Sequence, residues 1–427
     1  MSELRPAAAL ASPPAAAPQK TAAGEGGPAG SVTIIAAGEA RLPQRRSGRA
    51  QDRAMQLAAL FRGLTGDPAS FSDPAFRRSL EARTPSSIKA LAVDLACYAR
   101  FCAGQGDPGL PADEARIAAY VGYCEERRLK PATLSRRLSS LAAAHRLLGM
   151  PGPTGAAMVR DAVRAVQRRA GARQRQAGPL RLGKAIGREA ARGFTLTALL
   201  GACRPDIVGL RDAALLSLGY DAGLRVSELV RVEVEWIAPR QDGSAILGLP
   251  GEEGRIWLSP DTMRRVAAWR EAAGIDAGPL FRRVAVTRTR ARPARGALAI
   301  GDLAYHARVD RDRMAARPAR AASVTYKIGE KALTPAAVRL IIKRVARAAA
   351  DQGLVDLAGA ALADAIAGLS AHSLRVGLTQ DLFAHGEDAG AVAQALRWTS
   401  PATALRHGRK FAPAPDAAAR MLAPLRK

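Results

Sequence analysis

Three residues stand at positions that suit phosphate chemistry. His372 and Arg375 are three residues apart in "AHSLRVGLTQDLFAHG", and on a helix this spacing places an imidazole and a guanidinium on one face. Arg225 follows a glycine in "AGLRVSEL", at a predicted turn into a helix. Guanidinium groups pair with two non-bridging phosphate oxygens, and prepositioned cations stabilise the charge that grows when a phosphodiester is attacked. These residue types predict a phosphodiester site that needs no metal.

A third segment, "ALRWTSPATALRHGRKF", adds Trp398 and His407. Imidazole can form covalent intermediates, so His407 is a candidate nucleophile. Other chemistry is less favoured, because the remaining histidines are isolated and no phosphate-cradling G-x-x-x-x-G-K-[ST] loop occurs. The four cysteines contain no C-x-x-C pair, which argues against a zinc site and a disulfide framework. We therefore expect no metal and no cofactor.

The charge of the chain points to a polyanionic partner. Its 427 residues carry a formal net charge of +26, and 48% of them are hydrophobic. Such an excess favours nucleic acid, although an arginine-rich solvated surface would also give it. No apolar run approaches the roughly 18 residues of a membrane span. Prolines interrupt any signal-peptide core near the N-terminus, which leads us to expect a cytoplasmic protein.

Composition divides the chain into five segments and one insertion. We expect a disordered Ala/Pro/Gly-rich tail, a basic arm or linker, a helical DNA-binding domain, a basic interdomain linker and a mixed helix-and-strand domain. The mixed domain carries a weakly patterned Arg-rich insertion. These segments are, in order, residues 1–50, 51–84, 85–171, 172–190 and 191–427, with the insertion at 284–331.

Hydrophobic periodicity predicts the secondary structure that positions these residues. In the first domain, apolar residues recur at three- and four-residue spacing, as in Ile88, Leu91, Leu95, Tyr98 and Cys102, and predict a set of four helices. In the second domain, alternation of apolar and polar residues around Asp242-Gly243 predicts a small antiparallel sheet.

Two basic side chains of the first domain are candidate DNA contacts. Arg136 and Arg137 fall off the apolar stripe formed by Leu134, Leu138 and Leu141. An arginine pair on a helix surface either binds phosphate or faces solvent, and the sequence leaves both open.

These segments, in this order and in helical context, resemble the tyrosine recombinase (phage integrase) family over most of residues 85–420. "LKPATLSRRLSSLAAAHRLLGMPGPT" resembles the core-binding domain, and "GLRVSELV" and "HSLRVGLTQDLFAHG" resemble the two catalytic boxes. The resemblance implies a mainly α fold with a small antiparallel β-sheet, built from a helical (SAM-like) core-binding domain and an α+β catalytic domain. It also implies DNA integration and recombination, and double-stranded DNA as the partner, in a bacterial cytoplasm at the nucleoid. A homo-oligomer is implied too, a tetramer in which each subunit donates a C-terminal helix, here "AAARMLAPLRK".

The resemblance also assigns roles to residues. Arg225 and Arg375 would bind the scissile phosphate, and His372 would assist phosphate binding and proton transfer. Glu228 would brace Arg225. Trp398 would pack and hydrogen-bond near the phosphate.

Two positions depart from the family pattern. The family nucleophile is a tyrosine nine residues after the Trp398 position, where this chain has His407, and no tyrosine follows Tyr326. The family's general-acid lysine belongs on the hairpin after the first box, but no lysine occurs between Lys184 and Lys327. We therefore expect impaired strand cleavage. The alternatives are a non-catalytic DNA-binding accessory protein or regulator and a His407-dependent DNA nuclease.

Overall fold

The computed structural model describes residues 31–35, 48–66, 73–106, 108–170, 176–183, 193–251, 254–299 and 315–408. They divide into two compact units. The strand-bearing unit combines the described residues of 202–341 with Ser31–Ile35. The helical unit combines those of 41–201 with those of 342–408.

The first part of the helical unit is a set of helices around one apolar core. The core contains buried side chains from all six, among them Phe61, Leu95, Tyr120, Leu134 and Val166. The predicted stripe is confirmed, since Leu91, Leu95, Tyr98 and Cys102 are buried. The helices are α1 Gly48–Thr65, α2 Asp73–Glu81, α3 Pro85–Ala103, α4 Glu114–Glu126, α5 Pro131–Leu147 and α6 Ala157–Ala170, with a 3₁₀ turn at Pro153–Gly155.

Local capping residues determine where several of these helices begin. The Thr84 hydroxyl accepts a hydrogen bond from the Ser87 amide, and the Asp113 carboxylate accepts one from the Arg116 amide. Each satisfies an amide that the first turn of a helix leaves without an intrahelical partner. Pro131 occupies the first position of α5, where proline costs no hydrogen bond.

The segment predicted as a basic arm or linker, 51–84, contains most of α1 and all of α2. Leu57, Phe61 and Leu64 recur at helical spacing and are buried, as are Phe76 and Leu80. The arginines of this segment obscured an apolar stripe that packs on α3.

The strand-bearing unit contains a small antiparallel sheet, as predicted. The strands pair in the order β2–β3–β4, and the Asp242-Gly243 turn joins the first two, with Gly243 at φ +79°. The Asp242 carboxylate accepts hydrogen bonds from the Ser244 amide and hydroxyl. The elements here are α8 Ile207–Asp221, α9 Val226–Leu229, β2 Ile237–Pro239, β3 Ala245–Gly248, β4 Arg255–Leu258 and α10 Pro260–Ala273, with a 3₁₀ turn at Val234–Trp236.

The Arg-rich insertion is not weakly patterned throughout, because its two ends form a hairpin. β5 (Arg282–Thr289) pairs antiparallel with β6 (Ser323–Ala332). β1 (Ser31–Ile35) pairs parallel with β6. This strand lies in the tail 1–50, which was predicted to be disordered. Alternation in "RRVAVTRT" and "SVTYKIGEKA" fits this pairing, which the high arginine content masked.

The remaining helices lead to the candidate site. They are α7 Leu196–Gly201, α11 Pro335–Asp351, α12 Gly359–Gly368, α13 His372–His385, α14 Ala389–Ala395 and α15 Pro401–Gly408. The unit boundary falls within α11. The predicted C-terminal donor segment and the rest of the 1–50 tail, apart from Ser31–Ile35 and Gly48–Ala50, lie outside the described residues.

The fold class is confirmed as mainly α with small sheets, which are antiparallel apart from the β1–β6 pair. None of the helices in the described part of the chain combines the length and apolar content needed to cross a lipid bilayer.

Candidate phosphate-binding site

Helix α13 presents His372 and Arg375 from its first turn, and its packing fixes their position. Arg375 is buried and His372 is exposed at the helix start. The helix lies against the segment 176–183, because the Leu180 amide donates a hydrogen bond to the Ser373 carbonyl. A Cβ at Gly377 would lie 1.8 Å from the Leu180 carbonyl oxygen, so only glycine permits this approach. Part of the predicted linker 172–190 is therefore packed structure.

Arg375 organises the turn that carries Trp398. Its side chain is 1% exposed, and Nη2 donates a hydrogen bond to the Leu396 carbonyl. Its Cζ lies 5.0 Å from the centroid of the Trp398 ring, within range of a cation–π interaction. Arg397 adopts φ +54°, a left-handed conformation that redirects the chain between these two contacts. The guanidinium thus holds both sides of the turn.

His407 lies against the same cluster. Its ring stacks on Trp398 with centroids 5.6 Å apart, and meets the His372 ring edge-on at 5.2 Å. Burial lowers the pKa of His407 below its ordinary value of 6.5, and the nearby Arg406 and Arg375 charges lower it further. The neutral imidazole is therefore the favoured form of His407. Among the described residues, its buried Nδ1 has no hydrogen-bond partner.

The main chain of α15 is fixed by two amides. Gln380 Nε2 donates to the His407 carbonyl at 3.2 Å, and Gln176 Nε2 donates to the Arg406 carbonyl at 2.8 Å. A Cβ at Gly408 would lie 2.1 Å from the Phe383 ring, so α15 packs directly on α13. A small apolar core of Phe383, Val392, Leu396 and Ala404 completes the support.

A buried ion pair under α13 was missed by sequence reasoning. Arg181 Nε donates to Asp381 Oδ1 at 2.6 Å, and the Leu182 amide donates to Oδ2 at 2.7 Å. The two side chains are 7% and 4% exposed. The one signal in the sequence was an aspartate within the apolar "LTQDLF", but its partner lies 200 residues away along the chain.

Arg225 and Glu228 form a separate pair in the strand-bearing unit. Arg225 Nη1 donates to Glu228 Oε1 at 2.7 Å, and the Arg225 amide donates to Oε2 at 2.8 Å. Gly223 turns the chain into α9 at φ +51°. The side chain of Arg225 is 48% exposed. Glu228 therefore braces an arginine that faces solvent.

The candidate DNA contacts on α5 have protein partners. Arg136 Nη1 donates to the buried Asp94 carboxylate at 2.6 Å while its side chain stays 46% exposed. Arg137 Nη1 donates to Cys124 Sγ at 3.6 Å, and Arg137 is half-buried. DNA contact by either residue stays a prediction, with Arg136 the more accessible.

Because the hairpin after the first box has no lysine, Arg255 and the next lysines along the chain, Lys327 and Lys331, are the candidates for the general-acid role, and they lie on strands. Arg255 begins β4, whereas Lys327 and Lys331 lie on β6, and all three are exposed. Across the described ranges, no three His, Cys, Asp or Glu side chains lie close enough together to hold a metal ion.

Named relatives are similar to this chain in sequence. An integrase/recombinase XerD homologue of Selenomonas ruminantium is 29% identical over 224 residues, which cover 49% of this chain and 62% of that protein. The tyrosine recombinase XerD of Xanthomonas campestris is 33% identical over 203 residues, covering 44% and 57%. No family model matches. These relatives support the tyrosine recombinase family of the XerC and XerD type, and the matches span about three fifths of the relatives' length.

Solved structures of the same class resemble the chain more distantly. The XerH site-specific recombinase, bound to a palindromic difH substrate in a post-cleavage complex, gives a TM-score of 0.49 at 13% identity and covers 89% of this chain and 98% of that one. The Tn1549 transposon integrase in complex with a circular intermediate DNA gives 0.48 at 11% identity, covering 82% and 98%.

Proposed function

We propose that this protein binds duplex DNA as a member of the tyrosine recombinase class, and that its strand transfer is impaired because His407 replaces the nucleophilic tyrosine. One observation carries the proposal. His372, Arg375 and Trp398 assemble around the side chain at position 407, nine residues after Trp398, as the family pattern requires of its nucleophile.

The chemistry of the cluster supports phosphate binding. His372 is exposed, and the Arg375 guanidinium lies behind Trp398. Because Arg375 is 1% exposed, a phosphate oxygen reaches it only when Trp398 or His407 moves. The motif assigns Arg225 to phosphate binding as well, and its half-exposed guanidinium is open to a ligand. Duplex DNA and an oligomer assembled on it are the partners that this class implies.

The absence of the family's tyrosine and of its lysine supports impaired strand transfer. An imidazole is shorter than a phenol, and a displacement of about 1 Å can reduce a rate about 100-fold. The hairpin of β3 and β4 carries arginine at 255 but no lysine, and arginine is a poor general acid since its pKa exceeds about 12. A chain with these losses keeps DNA binding, because phosphate neutralisation by arginines needs no nucleophile. It would then serve as an accessory protein or regulator at recombination sites.

A second candidate function is a His407-dependent nuclease. The observation that favours it is the lowered pKa of His407, since a neutral imidazole has a free lone pair for attack on phosphorus. The phosphoramidate formed by such an attack is more labile to water than a tyrosyl phosphodiester, which would favour hydrolysis over rejoining.

Covalent trapping tests the proposal. The natural protein, His407→Tyr and His407→Phe are incubated with nicked suicide duplexes carrying candidate recombination sites, and denaturing gels are scored for protein–DNA adducts. We expect an adduct with His407→Tyr alone. His407→Phe is the matched control, because its ring fills the same space and has no nucleophilic atom.

The other outcomes separate the alternatives. An acid-labile adduct of the natural protein that His407→Phe abolishes would identify His407 as a nucleophile and replace the main proposal with the nuclease. Duplex binding without any adduct from His407→Tyr would contradict a pocket that lacks only its nucleophile. Failure of every variant to bind duplex DNA would reject the proposed function as a whole.

A further inference from the structure

The hairpin of β5 and β6 continues beyond both strands as a basic ribbon, which we define as residues 288–295 and 317–324. Two isolated bridges extend the ladder, Arg292 with Arg320 and Arg295 with Arg317. They keep the register in which Arg288 lies opposite Val324. The segment "RPAR" at 292–295 therefore pairs antiparallel with a second "RPAR" at 317–320.

This register places like charges opposite each other. In both pairs each amide donates to the partner's carbonyl, at 2.8–2.9 Å. Such hydrogen-bonded pairs hold their Cα atoms about 5.5 Å apart, and like charges directly opposite destabilise a ladder. Residues 284–299 and 315–329 carry six arginines and Lys327 but no Asp or Glu. A surface of this sign and charge density attracts a polyanion.

The prolines of the ribbon indicate that side chains, not backbone edges, make the contact. Because the amides of Arg292 and Arg317 point inward across the ladder, the adjacent Pro293 and Pro318 stand where an amide would point outward. Proline has no such N–H and so blocks the addition of a further strand. Arg288, Arg290, Arg292, Arg295 and Arg320 are exposed.

The base of the ribbon is held firmly to the strand-bearing unit. Tyr326 and Ile328 are buried, and the Tyr326 hydroxyl donates a hydrogen bond to Asp206 Oδ2 at 3.2 Å. Asp206 is also the N-terminal cap of α8. The arginines thus extend from an anchored strand pair.

We propose that this ribbon is a second DNA-binding element, which binds the backbone of duplex DNA along a groove. The inference rests on the proposed function and adds a surface to it. A two-stranded ribbon fits the major groove of B-form DNA, which is about 12 Å wide. The major groove of an RNA duplex is too narrow to admit it, so duplex DNA is the favoured polyanion.

Salt-dependent binding tests the ribbon. A fluorescent 40-bp random-sequence duplex is titrated by anisotropy at several salt concentrations with the full chain and with R292A/R295A/R317A/R320A. A charge-matched control, R264A/R339A/R344A/R347A, removes four exposed arginines from α10 and α11. Each phosphate contact contributes about 0.9 to the slope of log K against log salt, so four lost contacts lower its magnitude by about 3 to 4. We expect at least 10-fold weaker binding for the ribbon variant, and a slope change below about 1 for the control.

The outcomes are distinguishable. A natural protein that binds no duplex rejects the proposed function. If the natural protein binds DNA but the ribbon variant has the same slope as the control variant, the ribbon proposal alone is rejected. Equal competition by an unlabelled RNA duplex of the same length would also reject it. If the alanine variant unfolds, the four-glutamine variant decides by the same slopes, because glutamine keeps the stem of each side chain and a polar end but removes its charge.

Discussion

Arg225 and Arg375 carry the same chemical group in two different settings. Arg225 is half exposed and is held by one carboxylate at the start of a four-residue helix. Arg375 is buried, and is held by a backbone carbonyl and an aromatic ring. The first can meet a phosphate without rearrangement, whereas the second must first be uncovered. Removal of Arg225 should therefore reduce ligand affinity. Removal of Arg375 should reduce ligand affinity and also disturb the local structure.

The largest expected difference concerns the carboxylates that support each region. Asp381→Ala should lower the free energy of unfolding by about 3–5 kcal/mol, since it leaves the Arg181 charge buried without its partner. Glu228→Ala should lower it by about 1 kcal/mol or less, because the Arg225 guanidinium is half exposed. Urea denaturation of both variants measures the difference. Equal losses would contradict the contrast between a buried and an exposed support.

A smaller effect is expected where α15 meets α13. Gly408→Ala should cost about 1–3 kcal/mol, because its Cβ overlaps the Phe383 ring. Gly122→Ala is the matched control, since its Cβ meets open space within α4 and alanine favours a helix by up to about 1 kcal/mol. Thermal unfolding of the two variants should shift in opposite directions. A shift in the same direction would show that α15 does not pack on α13 as described.

The smallest effect is electrostatic and concerns His407. Its pKa is below 6.5 in the folded protein, so the unfolded chain takes up a proton first as the pH falls. The stability linked to His407 is therefore present above about pH 6.5 and is lost as the pH drops through the folded pKa. Histidine NMR should find the pKa below 6.5 and find it raised in Arg406→Ala. A pKa at or above 6.5 would place the ring in solvent rather than in the cluster.

Local rules accounted for those parts of the fold in which the signal lies within a few residues. The Asp242-Gly243 turn and the apolar stripe of α3 both follow from such rules. The i, i+3 pair His372 and Arg375 was likewise placed at the start of a helix. Each of these depends on neighbours in the chain, which a single sequence displays directly.

The features that were not predicted depend instead on residues far apart in the chain. The Arg181–Asp381 pair, the approach of Gly377 to Leu180 and the pairing of the two "RPAR" segments join residues far apart in the chain. No local period marks such contacts. The helices α1 and α2 were missed for a different reason. Their arginines led to the interpretation of the segment as a basic linker, although it also contains an apolar stripe at helical spacing. Whether the site residues act as assigned stays a prediction.

The hydrogen bonds that anchor α15 have a consequence for substitutions at position 407. Gln176 and Gln380 bind the carbonyls of residues 406 and 407, and not their side chains. The scaffold therefore fixes the place of a reactive group without specifying which group stands there. We expect an exchange of tyrosine and histidine at 407 to leave these backbone anchors in place, so that the reactive group can change while the helix that carries it is kept.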